Sequence, residues 1–151
     1  MCESCTNHQL PRAGVDPLDD DATALALLSA VIASPPRSET IAILLDSARR
    51  GHSIVVVSGT ERPDDLLRVV DVLAGALPAQ GPATPAGVIL ASVRPGGRLD
   101  ERDGDRWFET SDSLAAHGVE LVEWFVVADD VNCPRDLLGV PPRWSSWWSR
   151  R

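Results

Sequence analysis

Apolar residues repeat along this chain with two spacings, one close to a helical turn and one that alternates. Leu25, Leu28 and Ile32, widened by Leu27 and Val31, form a helical stripe over about 22 to 33; an aspartate of the run Asp19-Asp20-Asp21 caps it and Pro35-Pro36 ends it. Glu39 to Asp46 and Ser53 to Thr60 are β-branched, apolar segments separated by a short polar turn with Gly51, the pattern of an antiparallel hairpin. The second is apolar on both faces, which predicts a strand inside the sheet. Pro63 stands at a helix start with Asp64 and Asp65 in the first turn, and Leu66, Val69 or Val70, Leu73 and Leu77 carry the stripe to Pro78. A Pro-, Ala- and Gly-rich loop over 78–87 leads to a third strand, Val88 to Val93, closed by a turn from Arg94 to Gly97. A helix follows over about 103 to 117, with Trp107, Ser111, Leu114 and Ala115 on one face and Gly118 where a left-handed residue belongs. The fourth strand runs from Val119 to Ala128. Its alternation of Val119, Leu121 and Glu123 against Glu120, Val122 and Trp124 predicts a first half near an edge and a buried Phe125-Val126-Val127 end.

The fold class this order predicts is α/β: a single mixed β-sheet with a hairpin, and helices on its faces. Residues 1–20 read as a polar leader, 21–130 as the domain, and 131–151 as a Pro- and Trp-rich tail, extended except for a turn at Arg135 to Leu138. At 151 residues, 44% hydrophobic and 24% charged, the chain suits one globular domain. No apolar run approaches the ~20 residues of a membrane span, and MCESCTNHQL has no basic segment followed by an apolar one. A cytoplasmic location is the expectation. The net charge of −8 repels phosphate backbones and argues against a nucleic-acid partner.

Candidate chemistry gathers in Val88 to Trp107, VILASVRPGGRLDERDGDRW, where an apolar strand runs into a glycine turn and then into charge. Functional groups collect at such strand ends, yet histidine and cysteine are missing here. With Glu39 at the head of the first strand, Gly59-Thr60 after the second, and Ile89-Leu90-Ala91 leading to Pro95 and Gly97, the order of elements resembles the JAB/MPN metalloprotease domain, in particular its RadC-like branch. That resemblance covers residues 38–128 and implies a three-layer, cytidine-deaminase-like arrangement. The family's zinc motif is an upstream glutamate, then H-x-H-P, six residues, S, two residues and D. Laid on this chain without a gap it falls on Ser92, Arg94, Pro95, Arg102 and Asp105, with Glu39 as the looser match. Both histidines and the serine are replaced. In such enzymes two imidazoles and a carboxylate hold zinc, and the glutamate serves as general base. Ser92 is a poor zinc ligand and Arg94 cannot ligate, because its guanidinium stays protonated. Two readings of Arg94 stand: it replaces the metal by pairing with Asp105 and Glu39, or it points into solvent while Asp105 caps the helix.

Other constellations are weaker. Cys2, Cys5 and His8 form C-x-x-C-x-x-H, and with Cys133 they make a Cys3His set for a structural zinc; the alternative is a leader that binds no metal. His52 and His117 read as structural. Ser58-Gly59-Thr60 is too short for a phosphate loop, and no G-x-G-x-x-G or G-K-[ST] is present. Trp144, Trp147 and Trp148, among arginines, are the residue types of binding hot spots, pointing to a protein partner or self-association.

The expectation is therefore a noncatalytic JAB/MPN-like domain, a pseudoenzyme without cofactor, that serves as an interaction or scaffold module. Two alternatives remain: a metal-dependent peptidase or isopeptidase using Glu39, Asp105 and an unconventional ligand, and a small zinc-stabilised binding module.

Overall fold

The computed structural model of the chain describes residues 10–78 and 84–144. Helix α1 (Asp21–Val31) starts where the aspartate run predicts: the Asp20 side chain accepts a 2.7 Å hydrogen bond from the Thr23 amide, satisfying a donor at the helix start. The hairpin follows as β1 (Glu39–Leu45) and β2 (Gly51–Ser58), then α2 (Asp65–Ala76), β3 (Gly87–Val93), α3 (Asp103–Ala115), β4 (Glu120–Val127) and a two-residue β5 (Val131–Asn132). A 3-10 turn, Pro134–Leu138, follows β5.

The strands form one mixed sheet in the order β2-β1-β3-β4-β5, with β3 and β4 parallel and the other pairs antiparallel. Strand alternation divides the core between the two faces. Ile41, Ile43 and Leu45 with Ile89, Ala91 and Val93 pack under Leu18 and the Ala24 and Leu28 face of α1. Ala42 and Leu44 with Val88 and Leu90 pack under Leu66 and Val70 of α2 and Trp107 and Leu114 of α3. Three layers result, and β1 and β3 are buried along their whole length because both of their faces are covered.

Two expectations fail. The second strand is not internal: β2 is an edge strand, and Ile54 and Val56 remain 42% and 44% exposed. Its β-branched run reads like an internal strand, but the helix above that face does not reach it, and on the other side Val55 packs against the core. The alternation in β4 also breaks. Val88 faces Leu121 but Ile89 faces Glu123, so Val122 is an extra residue that shifts the pleat. Leu121 and Trp124 therefore join one core, and Val122 and Phe125 the other. Glu123, expected near an edge, is 1% exposed.

The tail is tied down as far as it is described. The Arg143 amide donates to the Val122 carbonyl at 3.3 Å, laying the chain beside β4. The Arg143 guanidinium then sits 4.7 Å from the Trp107 ring centroid and donates to Ser111 Oγ at 3.0 Å. Trp144 packs on the opposite core, 6.4 Å from Phe125 between ring centroids. Arg49, buried and at φ 63°, holds this strap: it pairs with Glu120 and donates to the carbonyls of Trp144 (3.3 Å) and Arg143 (3.4 Å). Gly87 leaves room for it, since a Cβ there would lie 2.5 Å from Arg49 Nη1 and 2.9 Å from Val122 Cγ2.

Candidate functional site

The sheet places Arg94 at the end of β3, where its amide donates to the Val127 carbonyl at 2.8 Å. Gly96, at φ 67°, turns the chain, and the Gly97 amide closes the turn on the Arg94 carbonyl at 2.9 Å. The loop then re-enters the protein through Asp103 in the first turn of α3, where the helix dipole favours a negative charge.

Asp103 is 0% exposed and fully bonded. Arg94 grips it with both terminal nitrogens, Nη1 to Oδ2 at 2.7 Å and Nη2 to Oδ1 at 2.9 Å. The Asp100 amide donates to Oδ2 at 2.7 Å, and Arg106 Nη1 to Oδ1 at 2.9 Å. Each carboxylate oxygen thus accepts two hydrogen bonds, about the capacity of an ionised carboxyl group. Arg106 continues the network to α2, donating from Nε to Asp64 Oδ1 at 2.8 Å. Burial by itself pushes the Asp103 carboxyl up, but the bonds from Arg94, the Asp100 amide and Arg106 outweigh it and hold the group below the ordinary aspartate range. The hydrogen bond from Arg106 lowers Asp64 as well, although Asp64 is 71% exposed. In front of the pair lies an open depression of about 710 Å³, lined by Ser38, Glu61, Arg98 and Glu101 among others.

The structure keeps Arg94 in an ion pair but corrects its partner. Its side-chain bonds go to Asp103 and the Arg98 carbonyl, and neither Asp105 nor Glu39 takes part. Two residues further along a helix the side chain has turned by about 200°, which carries Asp105 to the exposed surface of α3. Glu39 is buried at the head of β1, where it accepts from the Ala33 amide at 3.3 Å and lies 3.7 Å from Arg37 Nε. The Ser92 hydroxyl accepts the indole N–H of Trp124 at 3.0 Å. The fold therefore does not gather Glu39, Ser92, Arg94 and Asp105 into one ligand cluster: Glu39 bonds on the α1 side of the sheet, Ser92 on the other side, and Asp105 faces outward.

A second buried pair lies beyond the reach of motif reasoning. Glu123 accepts from Arg135 Nε at 2.6 Å and from the Trp124 amide at 3.0 Å, joining β4 to the 3-10 turn. Burial raises the Glu123 carboxyl, and these bonds offset that only in part. Cys133 lies nearby: burial first, then the charge of Glu123, pushes its thiol up to about 12. A thiol so poor in thiolate is the opposite of an activated ligand or nucleophile. Cys2, Cys5 and His8 lie outside the described residues, as do Trp147 and Trp148. Among the described residues, no three His, Cys, Asp or Glu side chains meet as a metal-ligand set, and no helix is long and apolar enough to cross a membrane. His52 and His117 are exposed and bond locally, to Ser53 Oγ at 3.1 Å and the Ser113 carbonyl at 3.0 Å.

Asp103, Arg106, Asp64 and the Glu123–Arg135 pair are the site residues that sequence reasoning missed. The Asp103/Arg106 spacing of three was a visible signal for one helix face. No protein-family model matches the chain, and no curated protein matches it in sequence.

Proposed function

We propose that the chain is a noncatalytic, RadC-like JAB/MPN domain that works as a protein-interaction or scaffold module, with arginine standing where the family's metal would be held. One observation carries this reading: Asp103 spends all its acceptor capacity on Arg94, Arg106 and the Asp100 amide. On this reading Asp103, not Asp105, answers to the aspartate of the family motif, after a loop two residues shorter. The residues present do not fit zinc. Ser92 is engaged by Trp124, a guanidinium fills the next ligand position, and the carboxylate has no free oxygen lone pair to offer. A dication brought to this position would meet two fixed positive charges, and a base of lowered pKa is a weak one.

Calorimetric titration of zinc into the full chain carrying Cys2→Ser and Cys5→Ser tests the reading apart from the amino-terminal thiols. No binding that depends on Asp103 is expected. A micromolar or tighter site that disappears in an added Asp103→Asn substitution overturns it.

A further inference from the structure

Among the described residues, no strand pairs with the outer edge of β2. Edge strands of natural sheets carry charges, prolines or central bulges that prevent pairing with another chain. From Gly51 to Thr60 this chain has no Asp, Glu, Lys, Arg or Pro, and the run Ile54-Val55-Val56-Val57 has high strand propensity. The register shift at His52 lies at the strand's start, where the edge is already engaged: the Gly14 amide donates to the Gly51 carbonyl at 2.8 Å and Pro17 bridges to Arg50. Beyond that point, Ile54 and Val56 stand exposed on the face that α1 leaves uncovered. An apolar groove of about 350 Å³, lined by Leu18, Leu27, Ile43 and Ile54, adjoins them.

We infer that this edge pairs with the same edge of a second copy of the chain, antiparallel about a two-fold axis at Val55, joining two five-stranded sheets into one. The inference names the partner of the interaction module proposed above, and it does not depend on what Arg94 replaces. Three features select a second copy and this register. In an antiparallel pair, facing residues project to the same side of the sheet, so a two-fold axis must fall on a residue rather than between two. Val55 is the midpoint of the open stretch 53–57. Centring there sets Ile54 of each copy opposite Val56 of the other, so the exposed apolar pair covers itself twice. Charge agrees: this register brings Glu61 of one copy next to the exposed Arg50 of the other, whereas an axis at Val56 would oppose Arg50 to Arg62. For a chain of net charge −8, a neutral strand with one exposed arginine at its start is a surface two copies can share without like-charge opposition.

Sedimentation equilibrium of the full chain from micromolar to submillimolar concentration tests this, with circular dichroism to confirm that each variant is folded. The wild type is expected to reach a dimer. Ile54→Lys with Val56→Lys places like charges across the axis and should weaken association at least about a hundredfold. Ile54→Lys with Val56→Glu places opposite charges across it and should restore most of that loss. A wild type that stays monomeric at every concentration overturns the proposal. So does equal association of the folded Lys/Lys variant and the wild type. Either result leaves the noncatalytic reading standing, since zinc titration tests that separately.

Discussion

Arg94 and Asp103 face each other through two parallel hydrogen bonds of 2.7 and 2.9 Å at the junction of β3 and α3, with the carboxylate fully buried. Such planar, bidentate pairing suits arginine and no other side chain. Arg94→Ala takes two of the four hydrogen bonds from a fully buried carboxylate and leaves Arg106 as its remaining cation, so it should destabilise the fold by ~2–4 kcal/mol in urea denaturation. Arg94→Lys keeps the charge but not the fork, and its loss should lie between that of Arg94→Ala and the wild type. A loss under ~1 kcal/mol for Arg94→Ala would mark an exposed pair.

The acid limb of stability should belong in part to Asp103. Its folded carboxyl lies below the ~3.9 of an unfolded chain, so its contribution is complete above that value and is lost as pH falls through the folded one. Glu123 acts in the other direction. Its folded pKa is raised, so the stability linked to it is present below the unfolded value of ~4.3 and is lost as pH rises through the folded one. Urea midpoints measured across pH should lose the acid slope in Asp103→Asn and the opposite slope in Glu123→Gln.

Cys133 should resist alkylation. With its thiol pushed up to about 12, almost no thiolate exists at neutral pH, and the side chain is partly covered. Peptide mapping after iodoacetamide should show labelling of Cys133 at least about a hundredfold slower in the native chain than in urea. Equal rates would show that the 3-10 turn does not close over it.

Gly87→Ala should loosen the strap at the carboxyl end. The new methyl group meets Arg49 Nη1 and Val122, and Arg49 is already committed to Glu120 and to the Arg143 and Trp144 carbonyls. Overpacking of this kind costs about 1–3 kcal/mol. The strap's release should appear as faster amide exchange at Arg143, whose N–H is bonded to Val122.

The sequence made the helices, strands and their order legible because those rest on local periodicity, and Asp20 capping α1 is a case where local chemistry decides alone. A single mixed sheet with helices on its faces follows from the same order of elements. What escaped depends on three-dimensional context. Ile54 and Val56 carry the letters of an internal strand, and only the reach of the helix layer leaves them at an edge. The extra residue Val122 shifts the pleat of β4 and hides Glu123, which no pattern in the strand itself announces. An ungapped motif selected Asp105, but the loop before α3 brings Asp103 inward in its place, and a two-residue difference on a helix exchanges core for solvent. Glu123 and Arg135 are twelve residues apart, and nothing in their spacing foretells that they meet.

The most direct test of the account is a double-mutant cycle between Arg94 and Asp103, with stabilities of Arg94→Ala, Asp103→Ala and the double substitution measured in urea. If the arginine is the structural counterion of this carboxylate, the two single losses will exceed the double loss, with a coupling of about 2–3 kcal/mol. A coupling below about 0.5 kcal/mol would mean that the two side chains act independently, and the reading of an arginine-filled site would fail.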